Sequence, residues 1–522
     1  MTQTSAPADQ PAHQDASSPD STVPGNLPTG PPVAEEHLLT GLEDQPLVLL
    51  TGVGNGFEVL VPPQHGHVVP DETAGTVTYT PTPRWNGFDR FTYRLTNDLG
   101  SAEGSVGLTI YTSADPGAPQ VLVPQLGLRA EELGVVMNGQ DPRSVEIGEA
   151  YADARGIPPE NLVVVDVPTE ETTLTAETFA PIYDLVHDSL PPNAQAIAVA
   201  WTRPWAVDCM SMTSALALGF DPMYCGGEVT DGKCGGTAPV PTYLSQSERM
   251  YDDHGIRPAM MLAGETTADV LATVVRGVAS DRTRPMGTAY LVRTSDVSRN
   301  VRWSQMTAAL LDWAGVTSLS LAYLDNSDGD LGSDVVMNMD DALFYFTGLI
   351  SVDGLETNTY VPGALGDHLT SYGGQLTGSD QMSALRWLEA GVVASYGTVV
   401  EPCNLLDKFP NVRFVMQLYT RGETALEAYW KSVKTPGEGI FIGDPLANPW
   451  GRHVIRWDDD TLSIETSMLR PGQSLRIEAA DHLEGPWDEV VNGLTAPDLG
   501  PALFTVESDP RSFYRILRDS SL

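Results

Sequence analysis

Apolar and polar positions change their rhythm three times along this chain. Residues 1–35 show almost no aliphatic pattern and are rich in Pro, Ser, Ala, Asp and Gln, which predicts a disordered leader or linker. Residues 36–112 carry short β-rich runs separated by Gly, Pro, Asn and Asp. Strict alternation is clearest in "GTVTYTP" and "RFTYRL". Closely spaced short strands of this kind predict a small β-sandwich. Residues 118–450 alternate apolar strand runs with amphipathic helical stretches. "QVLVPQL" precedes "SVEIGEAYADARGI", "AMMLAG" precedes "TTADVLATVVRGVAS", and "GTAYLVRT" precedes "VRWSQMTAALLDWAG". Apolar runs joined by helices predict a mostly parallel sheet covered on both faces. Residues 453–522 return to β-rich alternation, as in "TLSIETSML" and "SLRIEAA", and predict a small C-terminal β module. The expected fold class is therefore multidomain: β-sandwich, three-layer α/β domain, β module.

Composition narrows the partners. The 522 residues hold 69 acidic against 29 basic side chains, a formal charge of −40, and only four of the bases are lysines. Such a balance repels nucleic acid and anionic membrane surfaces. It suits an extracellular or cell-surface protein. No apolar run of transmembrane length occurs. The N-terminus has no basic segment followed by an apolar one, so no secretory signal is visible. Four cysteines are present, and Cys225 and Cys234 lie nine apart in "YCGGEVTDGKCGG". Without CxxC or HxxxH spacing a zinc site is not indicated. A local disulfide Cys225–Cys234 is expected, with two free loop thiols as the alternative. No G-x-G-x-x-G or G-x-x-x-x-G-K-[ST] follows a strand, which argues against dinucleotide and P-loop chemistry.

Several strings carry a family resemblance. "PQHGHVV…GTVTYTPTPRWNGFDRFTYRLTNDLGSAEGSVGLTI" resembles bacterial Ig-like, cadherin-like modules, which implies a spacer or adhesive unit. "SVEIGEAYADARGIPPENLVVVDVP", "DHLTSYGGQL", "AGVVASYGTVVEPCNLLDKFP" and "GIFIGDPLANPW" together resemble an uncharacterised bacterial envelope family associated with exosortase-bearing genomes. The order of elements is distantly similar to gingipain-like cysteine peptidases of the caspase fold. There, one strand ends in a Gly-His-Gly turn that carries the base and the next ends in the nucleophilic Cys. Here Gly348 and Leu349 stand at the first position, and Ser371 stands nearest the second. The resemblance implies a peptidase-like domain for surface-protein handling, acting on surface proteins or peptides. The missing dyad leaves open a non-enzymatic adhesion or scaffold protein.

Three chemistries fit the residues themselves. Cys403 as thiolate nucleophile with His368 as base and Glu401 as orienter would support acyl transfer. Ser371 near His368 offers a hydroxyl alternative, although three residues along a strand place two side chains on opposite faces. Asp325, Asn326, Asp328 and Asp330, with Asp334 close by and Gly329 for the turn, offer oxygen ligands for calcium; a solvated acidic loop is the other reading. His65 and His67 flank a turn in the N-terminal segment, and a turn role is expected for both.

Overall fold

In the computed structural model, the described residues run from 36 to 518 with short interruptions, together with residues 32 and 34. The longest interruptions are 112–118 and 227–234. The chain forms two compact units, Met1–Asp115 and Pro116–Leu522.

The first unit is built from two antiparallel-rich sheets. One has the strand order Glu36–Leu42, Gly100–Tyr111, Gly87–Asn97, Gly56–Val61; the other has Leu47–Leu50, Thr76–Pro81, Gly66–Asp71. Alternation in Thr76–Pro81 sends Val77 and Tyr79 inward, where they meet Phe91, Tyr93, Val106 and Leu108. Asp89 is buried among them and is satisfied by the Tyr79 hydroxyl (2.7 Å) and the His65 main-chain N–H (2.9 Å). The His65 carbonyl also accepts from the Thr82 N–H at 2.7 Å. His65 thus sits in a turn tied down through its backbone, whereas His67, for which a turn role is also expected, lies within the strand Gly66–Asp71 opposite Thr80.

The second unit is organised by a ten-stranded sheet. Its spatial order is Leu162–Val165, Leu133–Asn138, Ala196–Val199, Ala259–Met261, Gly439–Gly443, Ala394–Thr398, Tyr360–His368, Ala342–Thr347, Thr288–Arg293, Ser320–Asp325. Neighbours are parallel except Ala394–Thr398 against Gly439–Gly443, which are antiparallel. Counted from either edge, the first four strands follow the chain order second, first, third, fourth. The sheet is two similar winds joined at one antiparallel seam. Their strand directions are therefore opposed, and their carboxyl ends lie on opposite edges.

Local signals explain the helices. Pro142–Arg155 starts with Asp141 accepting from the Arg143 N–H (3.0 Å), carries Pro at its first position, and ends at Gly156 with φ +67°. Thr267–Ser280 opens with a reciprocal Thr266/Asp269 capping box. Two apolar cores fill the opposite faces of the sheet. One gathers Phe344, Phe346, Tyr396 and Trp430; the other gathers Trp201, Tyr345, Trp387 and Ile440.

Asp444 of "GDP" is fully buried. It accepts from the Tyr151 hydroxyl (2.9 Å) and the Leu446 N–H (3.1 Å) and pairs with Arg155, which also pairs with Asp281. The turn-capping role expected of this aspartate is present, together with a buried ion pair that ties the first helix to the last strand. The guanidinium approaches only because Gly277 has no side chain; a Cβ there would collide with the Asp444 carboxylate.

The C-terminal strands form a three-stranded sheet (Val454–Asp458, Thr461–Thr466, Ala502–Glu507) and a four-stranded one (Asp488–Thr495, Ser474–Ala480, Phe513–Arg518, Gln120–Leu122). "QVLVPQL" therefore supplies an edge strand to the C-terminal module and not the first strand of the α/β sheet. That first strand is Leu133–Asn138, six residues set between a 3₁₀ turn and a helix cap. Polar contacts fasten the module to the α/β body. The Arg284 guanidinium pairs with Glu465 and donates to the Arg452 carbonyl (2.9 Å). His453 donates to the Pro124 carbonyl (3.0 Å) and accepts from the Thr466 hydroxyl (2.9 Å).

Breaking the Asp444 network should be costly, because it leaves the buried Arg155 guanidinium with one of its two carboxylates and the Tyr151 hydroxyl without its acceptor. Asp444→Ala is expected to lower unfolding free energy by about 3–5 kcal/mol, measured by chemical denaturation. Gly277→Ala should cost about 1–3 kcal/mol by overpacking the same contact.

Candidate functional site

The edge that bears the sequence-predicted residues is the carboxyl edge of the second wind. Five loops meet there: 294–299, 325–335, 348–357, 370–383 and 399–408. Hydrogen bonds stitch them together. Asn404 Nδ2 donates to the Ser298 carbonyl (3.4 Å), the Ser295 hydroxyl to Asp334 (2.6 Å), Arg299 Nε to Thr370 Oγ1 (3.2 Å), and the Met382 N–H to the Ile350 carbonyl (3.0 Å). The structure thus gathers Gly348, His368, Ser371, Glu401 and Cys403 on one edge.

Gly348 occupies the turn after Ala342–Thr347. A Cβ there would run into the Arg299 carbonyl, so the Arg299 backbone fills the space above this strand end. Beneath it, Arg302 and Asp367 form a fully buried ion pair at 2.6 Å, and Arg302 also donates to the Thr347 carbonyl (2.6 Å). Burial raises the Asp367 carboxyl, and Arg302 opposes that shift.

His368 ends the strand Tyr360–His368 and is buried. Its Nδ1 accepts from the Trp387 indole N–H at 2.9 Å. Its Nε2 lies 3.2 Å from the Met382 carbonyl, which can only accept. The ring is therefore the neutral Nε2–H tautomer with its one acceptor lone pair already used. Burial, reinforced by the charge of Arg302, pushes its pKa down to about 3. A general base needs a free lone pair and a pKa near the working pH. His368 has neither in this arrangement and acts as a packed, hydrogen-bonded core residue.

Cys403 is disulfide-bonded, and none of the described cysteines is free. A disulfide sulfur is not a thiolate, so the nucleophile expected here does not exist in this oxidised chain. Cys403 sits at φ +51° in the turn after strand Ala394–Thr398, and its N–H donates to Glu401 Oε1 at 2.8 Å. Glu401 therefore holds a turn and orients no imidazole. Cys225 pairs with Cys209 at a Cα–Cα distance of 5.7 Å, correcting the expected Cys225–Cys234 link; Cys234 lies outside the described residues.

Ser371 begins the segment that folds back over the strand ends. Its N–H donates to Gln381 Oε1 (2.9 Å) and its carbonyl accepts from Thr398 Oγ1 (2.8 Å). Gln381 also accepts from the Thr370 hydroxyl. The Gly374 N–H donates to the Thr398 carbonyl (2.9 Å), and the Ala384 N–H to the Gly373 carbonyl (2.8 Å). These bonds seal the floor of the mouth. Trp387 and Gln381, neither of them a candidate from sequence, decide its state. Their signals were present in "SDQMSALRWLEAG", but nothing local shows that the indole reaches back to a strand end.

The acidic loop is likewise committed. Asp325 pairs with Arg293 (3.1 Å) and caps Ser327 (3.1 Å); hydrogen bonding from Ser327, with help from Arg293, holds its carboxyl down to about 2. Asn326 bonds Asp334 (2.7 Å) and accepts from the Leu331 N–H (2.8 Å), while Asp328 accepts from the Asp330 N–H (3.1 Å). Among the described residues no group of three or more His, Cys, Asp or Glu converges as metal ligands. Asp325, Asn326 and Asp328 of the calcium expectation are thus engaged in an ion pair and in turn bonds.

Residues 29–109 match the family model described as a bacterial Ig domain, which establishes an Ig-like module at the N-terminus. No curated protein matches the chain. Solved structures give only faint similarity. A proposed α-galactosidase/melibiase from Bacteroides fragilis is 11% identical, with 94% of this chain and 98% of that chain covered and a TM-score of 0.14. A second proposed α-galactosidase from the same organism is 8% identical, with 94% and 97% covered and a TM-score of 0.14. A sialyltransferase from Photobacterium damsela is 9% identical, with 65% and 89% covered and a TM-score of 0.12. Scores this low carry no argument about fold or activity. No helix among the described residues is long and apolar enough to cross a membrane.

Two outcomes follow from the site. Without reductant, a thiol reagent should label none of Cys209, Cys225 and Cys403 in either folded or urea-unfolded protein; a titratable thiol at Cys403 would contradict the disulfide. Acid should also weaken the fold through His368. Between its depressed native pKa of about 3 and the unfolded value near 6.5, only the unfolded chain takes up the proton. Stability from this residue is present above that window and falls by about 1.4 kcal/mol per pH unit within it. His368→Gln should remove about one proton from the pH dependence of denaturation between pH 4 and 6.

Proposed function

We propose that this is a secreted or cell-surface protein whose α/β domain keeps a peptidase-like architecture without a working catalytic dyad. It serves as a binding or scaffold unit carried beside an Ig-like module. The observation that carries this reading is the state of the two expected partners: His368 is neutral with both ring nitrogens occupied, and Cys403 is disulfide-bonded. The doubled second-first-third-fourth wind, with an antiparallel strand closing it, favours the distant likeness to the caspase-fold peptidases. The Ig-like module and the disulfide-bonded cysteines favour an oxidising, extracytoplasmic setting.

The test is a hydrolysis assay on casein and on a fluorogenic peptide library, run with and without reductant. No turnover above background is expected in either condition, and Cys403→Ser, Ser371→Ala and His368→Gln should match the parent chain. Turnover that Cys403→Ser or Ser371→Ala abolishes would restore the enzymatic reading.

A further inference from the structure

Each of four mouth loops presents one exposed aliphatic side chain: Val297 (74% exposed), Leu331 (54%), Ile350 (49%) and Leu405 (37%). Exposed aliphatics spread over adjoining loops mark an interaction surface better than isolated ones do. Hydrogen bonds tie loops 294–299, 325–335, 348–357, 370–383 and 399–408 to one another at this one edge of the sheet.

The charge of the same five loops is lopsided. They contain ten carboxylates against Arg299 and Lys408. Lys408 is buried against Glu438, and Arg299 pairs with Asp296. Asp325 and Asp407 are matched by Arg293 and Lys434 from outside the loops. The other seven have no basic partner among the described residues. The surface is therefore apolar at intervals and negative between them. A second copy of this chain, at −40, would be repelled from it, as would nucleic acid.

We infer that the rim of this mouth docks an extended, basic segment of another protein that carries aliphatic residues between its cations. Aliphatic side chains of the segment meet the four exposed ones, and its cations meet the unmatched carboxylates. The sealed floor keeps the contact at the rim. This inference rests on the non-enzymatic reading above and names the partner that reading lacks.

The experiment is fluorescence anisotropy of a labelled short peptide alternating arginine and leucine, titrated with the full chain at low and moderate salt. Binding that weakens with salt is expected. The combined variants Asp353→Asn/Glu356→Gln/Asp380→Asn and Val297→Ser/Ile350→Ser/Leu405→Ser should each weaken it about tenfold or more. Glu177→Gln/Asp184→Asn/Asp188→Asn, on the exposed side of helix Ala176–Ser189, removes the same charge elsewhere and should leave affinity within about twofold. Circular dichroism checks that each variant is folded. Absent binding, or equal losses from the rim and helix variants, overturns the inference. Mass analysis of the same samples separates the two readings: cleavage of bound peptide counts against the non-enzymatic function and leaves docking standing, whereas an intact, unbound peptide defeats docking alone.

Discussion

The antiparallel pairing of Ala394–Thr398 with Gly439–Gly443 is the constraint on which the rest of the α/β unit depends. Had this seam been parallel, both winds would open on the same edge and their loops would share one mouth. Because it is antiparallel, the second wind opens toward the start of Gly439–Gly443 and the first wind opens away from it. Thr398 pairs with Gly439, so Glu438 arrives at the mouth from the far strand. It brings with it the buried Lys408 (2.6 Å) and the Gly226 N–H (2.5 Å). At the opposite edge the same strand delivers Asp444 to Arg155. One five-residue strand therefore anchors a buried ion pair at each end.

Much of this architecture was legible because periodicity reports burial. Strand Ala342–Thr347 is buried at all six positions and reads as a continuous apolar run; Thr76–Pro81 alternates and reads as a half-buried strand. Other features were hidden for physical reasons. Strand direction leaves no mark in composition, so the seam could not be read. Gln120–Leu122 has the same apolar look whichever sheet it joins, and only tertiary pairing with Phe513–Arg518 decides. Disulfide partners are chosen by three-dimensional proximity, so the short spacing of Cys225 and Cys234 misleads, and Cys225 pairs instead with Cys209, sixteen residues before it.

The site was legible in location and illegible in state. Strand-end logic puts His368 and Cys403 at one edge of a sheet, and the structure has Ser371 and Glu401 in the same set of loops. Whether a histidine there is a base depends on what its nitrogens touch. Trp387, nineteen residues on, answers that from a helix packed on the sheet face. A buried imidazole with an indole donor on one side and a carbonyl acceptor on the other is stable only when neutral. Protonating it would set a positive charge against the indole N–H and near Arg302, in a region with little water to screen either.

That preference bears on what the mouth can still do. A catalytic pocket needs a concave, partly dry floor with groups aimed at a reacting atom. Here the floor is closed by main-chain bonds from Gly374 and Met382 and by the Gln381 side chain, so polar groups that would face a substrate face each other instead. What remains exposed is the rim, where charges are solvated and each contact is individually weak. A surface of that kind gains specificity from the pattern of charge and apolar contacts spread along an extended partner, more than from any one deep anchor.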